Sequence, residues 1–305
     1  MPRPRLFAFG LLVLANLFWA GNWVLGRALR DAFEPIGLNF WRWTIAAAVL
    51  APFACRGVLA RRALVRGHVG ILLLLALTGA ALYQSLVYLG LSSTTAVNGV
   101  LLNSSTPLFI LLCSWIMERE RPTARQVAGM LISLSGILVI VARGDPGSLL
   151  ALEVHAGDAW ILLAMPIWGI YSVLLKRSPP GLGALETLFV IAAAGVVMLA
   201  PFYLWEALRA PPGVPSLEAV GGILYIGIAA SVIAFSFWNR AVEIVGANAA
   251  GFTLHLLPAF GTVLAILALG ESFAIFHALG FTLIFVGVVL ATARSPGDRR
   301  SRLRA

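Results

Sequence analysis

"LNSSTPLFILLCSWIMERE" occupies residues 102–120, and "TLHLLPAFGTVLAILALGE" occupies residues 253–271. Each is an apolar run with a proline inside it and a glutamate at its end. Pro107 precedes Glu120 by thirteen positions, Pro258 precedes Glu271 by the same thirteen, and the copies lie 151 residues apart. A proline inside a helix costs about 3 kcal/mol in water, because it removes a hydrogen bond and its ring meets the preceding turn. A chain that writes the feature twice carries an internal repeat.

The repeat extends outward from these segments. A shift of 151 pairs Ala96 with Ala247, Gly129 with Gly280 and Gly136 with Gly287. A shift of 149 pairs Trp19 with Trp168, Ala51 with Ala200 and Pro52 with Pro201. The two-residue difference is a change in loop length, so the halves are residues 1–150 and 151–305.

Composition says where such a repeat can live. The 305 residues are 60% hydrophobic and 11% charged, with a mean hydropathy of +0.93. So few charges cannot cover the surface of a soluble protein of this size. Runs long enough to cross about 30 Å of hydrocarbon recur along the chain. Breaks at charge clusters and Pro/Gly groups predict spans near 6–27, 35–55, 69–91, 94–117, 122–142, 157–176, 183–205, 217–240, 246–269 and 274–293. Arg3 and Arg5 before the first run imitate a signal peptide. However, "FWAGNWVLGR" (18–27) is echoed by "IWGIYSVLLKR" (167–177), so the first run reads as a retained span.

Five spans per half is an odd number, so the second half enters the membrane upside down. Inverted repeats of this kind characterise secondary transporters, with the substrate site near the midplane between the halves. The predicted fold is an all-α membrane protein, ten transmembrane helices arranged as two inverted five-helix repeats around a central cavity.

The net charge of +9 does not point to nucleic acid, because the basic residues sit between hydrophobic runs. With the N-terminus inside, 17 Lys and Arg fall inside and four outside, and Arg42 lies within a span. That asymmetry predicts cytoplasmic termini. Cys55 and Cys113 show no pairing logic and are expected to be free thiols. No HExxH, aspartate pair or Ser-His-acid spacing speaks for an intramembrane enzyme, and no metal or cofactor is expected.

The paired "P…GE…G" halves, the ten spans and the terminal arginines resemble the EamA-type carriers of the drug/metabolite transporter superfamily. The resemblance covers about residues 6–293. Within that superfamily the chain is most similar to YddG-type exporters of aromatic and other amino acids. The resemblance implies a basket of two five-helix halves, with spans 1, 3, 4, 6, 8 and 9 inside and spans 5 and 10 at the periphery. The first half departs from the marker, reading Arg119-Glu120 where the second reads Gly270-Glu271.

The acidic residues fall at or near span ends, Glu186 deepest at about one turn into span 7. Candidate substrate contacts are therefore aromatic and neutral polar: Trp19 and Asn22 on span 1, Tyr83 and Gln84 on span 3, Asn98 and Asn103 on span 4. Trp168 and Tyr171 on span 6, Trp238 and Asn239 on span 8, and His255 on span 9 complete the set. Positions i and i+3 share a helix face, so Trp19/Asn22 and Trp168/Tyr171 each set a ring beside a polar group. Together they suggest an amphipathic cavity without fixed charge, suited to ring stacking, ammonium–aromatic contacts and hydrogen bonds. Each alone also reads as interfacial belt or helix glue. His255 reads as a packing histidine, a substrate contact or a proton relay.

Arg42, about 10 Å into span 2 at 1.5 Å per residue, is expected to snorkel outward or pair with Glu34. The alternative is that it faces inward and attracts a carboxylate. Pro107 and Pro258 free the carbonyls of Asn103 and Leu254, either as static kinks or as hinges for alternating access. Glu120 and Glu271 read as interfacial carboxylates or gate latches, and the paired glycines as close helix packing.

These readings converge on an inner-membrane carrier that exports small zwitterionic or amphipathic metabolites, amino acids above all, as a facilitator or exchanger. A broad drug/metabolite exporter, a membrane receptor or scaffold, and an intramembrane enzyme are the alternatives. The expected partners are a small-molecule substrate and the lipid bilayer, with no nucleic acid, and the chain is taken as a monomer.

Overall fold

The computed structural model describes residues 3–94, 96–145, 147–150, 153–210, 213–269 and 274–293. Glu271 and the arginines from Arg294 onward lie outside the described residues. Among the described residues, ten helices are long and apolar enough to cross a membrane. In the first half they are α1 Arg3–Ala28, α2 Pro35–Ala60, α3 Val69–Ser93, α4 Asn98–Glu118 and α5 Ala124–Val141. In the second half they are α6 Ala156–Arg177, α7 Ala184–Arg209, α8 Leu217–Val245, α9 Ala247–Leu264 and α10 Ile275–Thr292.

Their ends are written in the sequence. Thr123 and Gln126 form a reciprocal capping box that starts α5, the Gln126 amide donating to Thr123 Oγ1 and the Thr123 amide to Gln126 Oε1. Ser216 caps α8 by accepting from the Ala219 amide at 3.2 Å. Pro35 opens α2, where its missing N–H costs nothing, and the next two amides, Ile36 and Gly37, donate to the Glu206 carboxylate of α7. α4 ends on Arg119 in the left-handed conformation, φ 56°. Glycine favours that backbone, and a Cβ there costs roughly 1 kcal/mol. Arg119→Gly is therefore expected to raise stability by about 1 kcal/mol, read as a higher thermal unfolding midpoint.

The inversion is visible in the α5–α10 contact. Gly129 lies against Gly287 and Gly136 against Gly280, so the numbering runs in opposite directions along the two helices. A Cβ at Gly129 would lie 2.6 Å from the Gly287 carbonyl oxygen, and one at Gly136 would lie 2.6 Å from that of Gly280. Backbones this close are what small residues give membrane helices, whose association rests on packing rather than on the hydrophobic effect. The other contacts come in the same image pairs: α1 with α8 matches α6 with α3, α1 with α9 matches α6 with α4, and α2 packs on α7.

The proline segments are breaks rather than bends. The first stretch of α4 ends at Asn103 and a new helical segment starts at Thr106, with Pro107 in its first turn. The three hydroxyls ahead of the proline bond carbonyls around the break, and Thr106 takes the one, Asn103 O, whose amide partner the proline removes. Ser104 Oγ donates to Val100 O at 2.7 Å, Ser105 Oγ to Leu102 O at 2.6 Å, and Thr106 Oγ1 to Asn103 O at 2.5 Å. In α9 the same place is a 3-10 turn, Thr253–His255, before the helix resumes at Leu256.

α3 and α8 each contain a π-helical stretch, Ala76–Leu82 and Ile226–Ile233, at matching places in the repeat. The wider turn alters which carbonyls are taken within the helix, and α2 answers both stretches. Asn39 Nδ2 donates to Ala80 O at 2.9 Å and Ala81 O at 3.2 Å in α3, while Arg42 reaches the stretch in α8. Cys55 and Cys113 are free.

Candidate functional site

Trp19 of α1 and Trp168 of α6 occupy equivalent positions and touch, their ring centroids 5.3 Å apart at an interplanar angle of 90°. Ser104 and His255, also equivalent, meet through a bond between His255 Nε2 and the Ser104 carbonyl at 3.0 Å. Equivalent residues meet only where the pseudo-two-fold axis passes, so both contacts mark the axis through the molecule.

A small void lies at the tryptophan contact, with a volume of about 20 Å³. Trp19, Asn22, Tyr83, Gln84, Asn103 and Trp168 line it, joined by Trp23, Phe235, Leu254 and Leu257. Tyr171 and Trp238 stand behind it, their rings 5.1 Å and 5.6 Å from that of Trp168. Three of the lining residues carry buried donors without a partner: Gln84 Nε2, Asn103 Nδ2 and Trp168 Nε1. Buried donors left unpaired cost about 1–3 kcal/mol each, a cost that an acceptor in the void would relieve. Among the described residues, no carboxylate lines it.

Two further hydrogen bonds flank the centre as images of each other. Tyr88 Oη donates to Asn22 Oδ1 at 2.9 Å, and Tyr171 Oη donates to Asn239 Oδ1 at 2.9 Å. Asn22 is equivalent to Tyr171 and Tyr88 to Asn239, so the repeat keeps the pair and exchanges its chemistry. Asn239 also lines a cavity of about 880 Å³ that opens at the end where α1 begins and α10 finishes. The Tyr171–Asn239 pair thus stands between that vestibule and the void. Lys176 Nζ pairs with Glu120 at 2.7 Å and Arg177 Nη2 with Glu118 at 2.9 Å beside this opening. Asn248 Nδ2 adds a bond to Glu120 at 3.2 Å, which places Glu120 in an interfacial cluster of α4, α6 and α9.

At the opposite end the helices are tied together. Arg27 Nη1 donates to Leu91 O at 2.5 Å, and Asp158 accepts from Thr94 Oγ1 and from Asn98 Nδ2. A cleft of about 500 Å³ there, lined by Phe33, Trp41, Tyr203 and Glu206 among others, shares no residue with the void.

Several expectations are corrected. Asn98 does not reach the centre; its amide bonds Asp158 Oδ2 at 3.0 Å and Glu153 O at 2.8 Å, because it sits at the start of α4 beside α6. His255 is fully enclosed between α4 and α5, with Nδ1 2.7 Å from Ser133 Oγ, and does not line the void. Arg42 neither snorkels nor pairs with Glu34. It is 1% exposed and faces inward, with Nε on Ser231 Oγ at 2.6 Å and Nη1 on Tyr88 Oη at 3.1 Å and Asn22 Oδ1 at 3.3 Å. The interior therefore holds a fixed charge, contrary to expectation. Ser231 and Phe235 were missed as well, since nothing in a run of apolar and small residues distinguishes them.

An inverted repeat closed around a polar, aromatic centre with a vestibule at one end defines a membrane transporter. The chain belongs to the EamA-like transporter family, whose profile matches residues 6–142 and 155–293, one copy in each half. This is a family of transporters rather than enzymes. An uncharacterized transporter of Archaeoglobus fulgidus is 29% identical over 93% of this chain and 96% of its own length. A probable terminal-alkyne amino-acid exporter of Streptantibioticus cattleyicolor is also 29% identical, over 95% of this chain and 94% of its own. One crystal structure shares the fold with a TM-score of 0.72 at 23% identity, covering 99% of both chains.

Proposed function

We propose that the protein exports small neutral amino acids, aromatic ones among them, across the inner membrane by alternating access. The observation that carries this reading is the void between Trp19 and Trp168, where rings and three unpartnered donors converge at the axis of the repeat. Rings suit an apolar side chain or an ammonium group, and N–H donors suit carboxylate oxygens. The amino-acid exporter among the relatives favours the same cargo. The Tyr88–Asn22 and Tyr171–Asn239 pairs act as opposing gates, and the excess of Lys and Arg at the vestibule end makes that end cytoplasmic. Admission of a substrate requires the rings to part, since about 20 Å³ holds little more than a water molecule.

The test is uptake into vesicles containing the purified protein, using a panel of labelled amino acids, amines and sugars. Amino acids are expected to accumulate to equilibrium with the pH gradient and membrane potential collapsed, because no carboxylate among the described residues lines the void. Uptake of sugars or amines in preference, or loss of all uptake without the gradients, would overturn the reading.

α4 and α9 rock about their breaks in this scheme. Pro107→Ala and Pro258→Ala each restore an amide at equivalent places in opposed copies, so they should bias access toward opposite ends. A differential of about 1.4 kcal/mol changes the ratio of the two forms tenfold. Cysteine labelling from each side measures it, and unchanged labelling in both variants would leave the prolines as static features.

A further inference from the structure

Arg42 breaks the symmetry of the fold at its most sensitive place. Its equivalent in α7 is Ile191, fully buried and apolar, so the second repeat shows that the scaffold closes without a charge here. Every hydrogen-bond acceptor around the guanidinium is neutral: Ser231 Oγ, Tyr88 Oη, Asn22 Oδ1 and the Ala230 carbonyl, the last 3.4 Å from Nη2. Trp43 and Phe235 complete its surroundings, with ring centroids 5.5 Å and 5.7 Å from Cζ. Among the described residues, no carboxylate pairs with it. An unpaired cation inside a membrane protein is costly and marks a substrate or ion pathway. Asn22 and Phe235 both line the central void, so a single side chain separates Arg42 from it.

We propose that Arg42 selects the substrate's carboxylate and uses it to open the far gate. The inference rests on the void being the substrate site. A carboxylate in the void offers the guanidinium a better acceptor than Asn22 Oδ1, since charge-assisted, forked pairs are the strong ones. Taking Nη1 from Asn22 also withdraws it from Tyr88, whose hydroxyl bonds both groups. The Asn22–Tyr88 pair then loses its support on the side away from the vestibule. The rings hold the apolar part of the same molecule. Among the described residues the image pair, Tyr171–Asn239, has no such cation, so recognition of the acid group acts on one gate alone.

The experiment is equilibrium binding to the purified full-length protein in detergent, followed by the fluorescence of its tryptophans. The probes are L-phenylalanine, 3-phenylpropionate, L-phenylalaninamide and phenethylamine, which share a ring and differ in the acid group. The two acids are expected to bind at least tenfold more tightly than the amide and the amine, and Arg42→Gln should erase that preference. Arg42→Lys keeps the charge without the fork; it should weaken acid binding at least threefold and leave the amide unchanged, which preserves the test if Arg42→Gln does not fold. Equal wild-type affinity for acid and amide, no binding of either acid, or a preference that survives in a folded Arg42 variant would overturn the assignment. Vesicle uptake of the same compounds separates the two readings. Arg42-dependent binding without uptake leaves the assignment standing and sinks the export reading, whereas uptake indifferent to the acid group does the reverse.

Discussion

Trp168→Ala should lower the yield of folded protein and cut transport per folded molecule more than tenfold. Trp168 is the ring that the others share, with centroids of Trp19, Tyr83, Tyr171, Phe235 and Trp238 between 4.7 Å and 5.6 Å away. Truncating a buried tryptophan costs about 3–5 kcal/mol, and the ring pairs add about 0.5–1.5 kcal/mol each. The loss falls at the axis, where both halves meet, so transport per folded molecule is expected to drop more than tenfold. Trp168→Phe keeps a ring and gives up the Nε1 donor that has no partner. Losing one hydrogen bond to a substrate oxygen is worth about 1 kcal/mol, so this variant should retain activity roughly fivefold down. Wild-type rates per folded molecule in both variants would remove Trp168 from the substrate site.

Gly287→Leu should cost most of the folded protein. A Cβ at Gly287 would lie 2.5 Å from both the Gly129 carbonyl oxygen and the Ser133 amide nitrogen. Those are backbone atoms of α5 and cannot rotate aside, so the helices must separate. Overpacking costs about 1–3 kcal/mol even where side chains can give way, and this contact allows no such relief. Separation also draws Ser133 away from His255, whose Nδ1 it holds at 2.7 Å, so the damage passes to α9 at the axis. Gly221→Leu is the control, because a Cβ there meets nothing within 4 Å. Elution profile and thermal midpoint in detergent report the difference, and equal behaviour of the two variants would contradict the account of the α5–α10 contact.

The repeat was legible because its markers are residues with few substitutes. Prolines that start a segment, glycines at a close approach and tryptophans on the axis keep a fixed offset while the apolar residues between them drift. The break ahead of Pro107 was legible only in part. Thr106 carries the hydroxyl that takes the freed Asn103 carbonyl of a broken helix, yet the proline alone suggested a bend.

Arg42 could not be placed from sequence, since its partners come from α1, α3 and α8, 20, 46 and 189 residues away. The π-helical stretches have no residue signature, as a shifted hydrogen bond leaves the side chains unchanged. Asn98 and His255 show the same limit from the other side. A polar group in an apolar run announces that it needs a partner without saying whether the partner is protein or substrate.

The central claim is that one site is exposed to each side of the membrane in turn. Trans-stimulation tests it most directly: vesicles containing the protein are loaded with unlabelled L-phenylalanine, and entry of the labelled compound is timed with all gradients collapsed. A carrier returning loaded through its two gated forms should take up label several-fold faster from loaded than from unloaded vesicles. Equal rates in the two, with uptake rising linearly in concentration, would contradict alternating access.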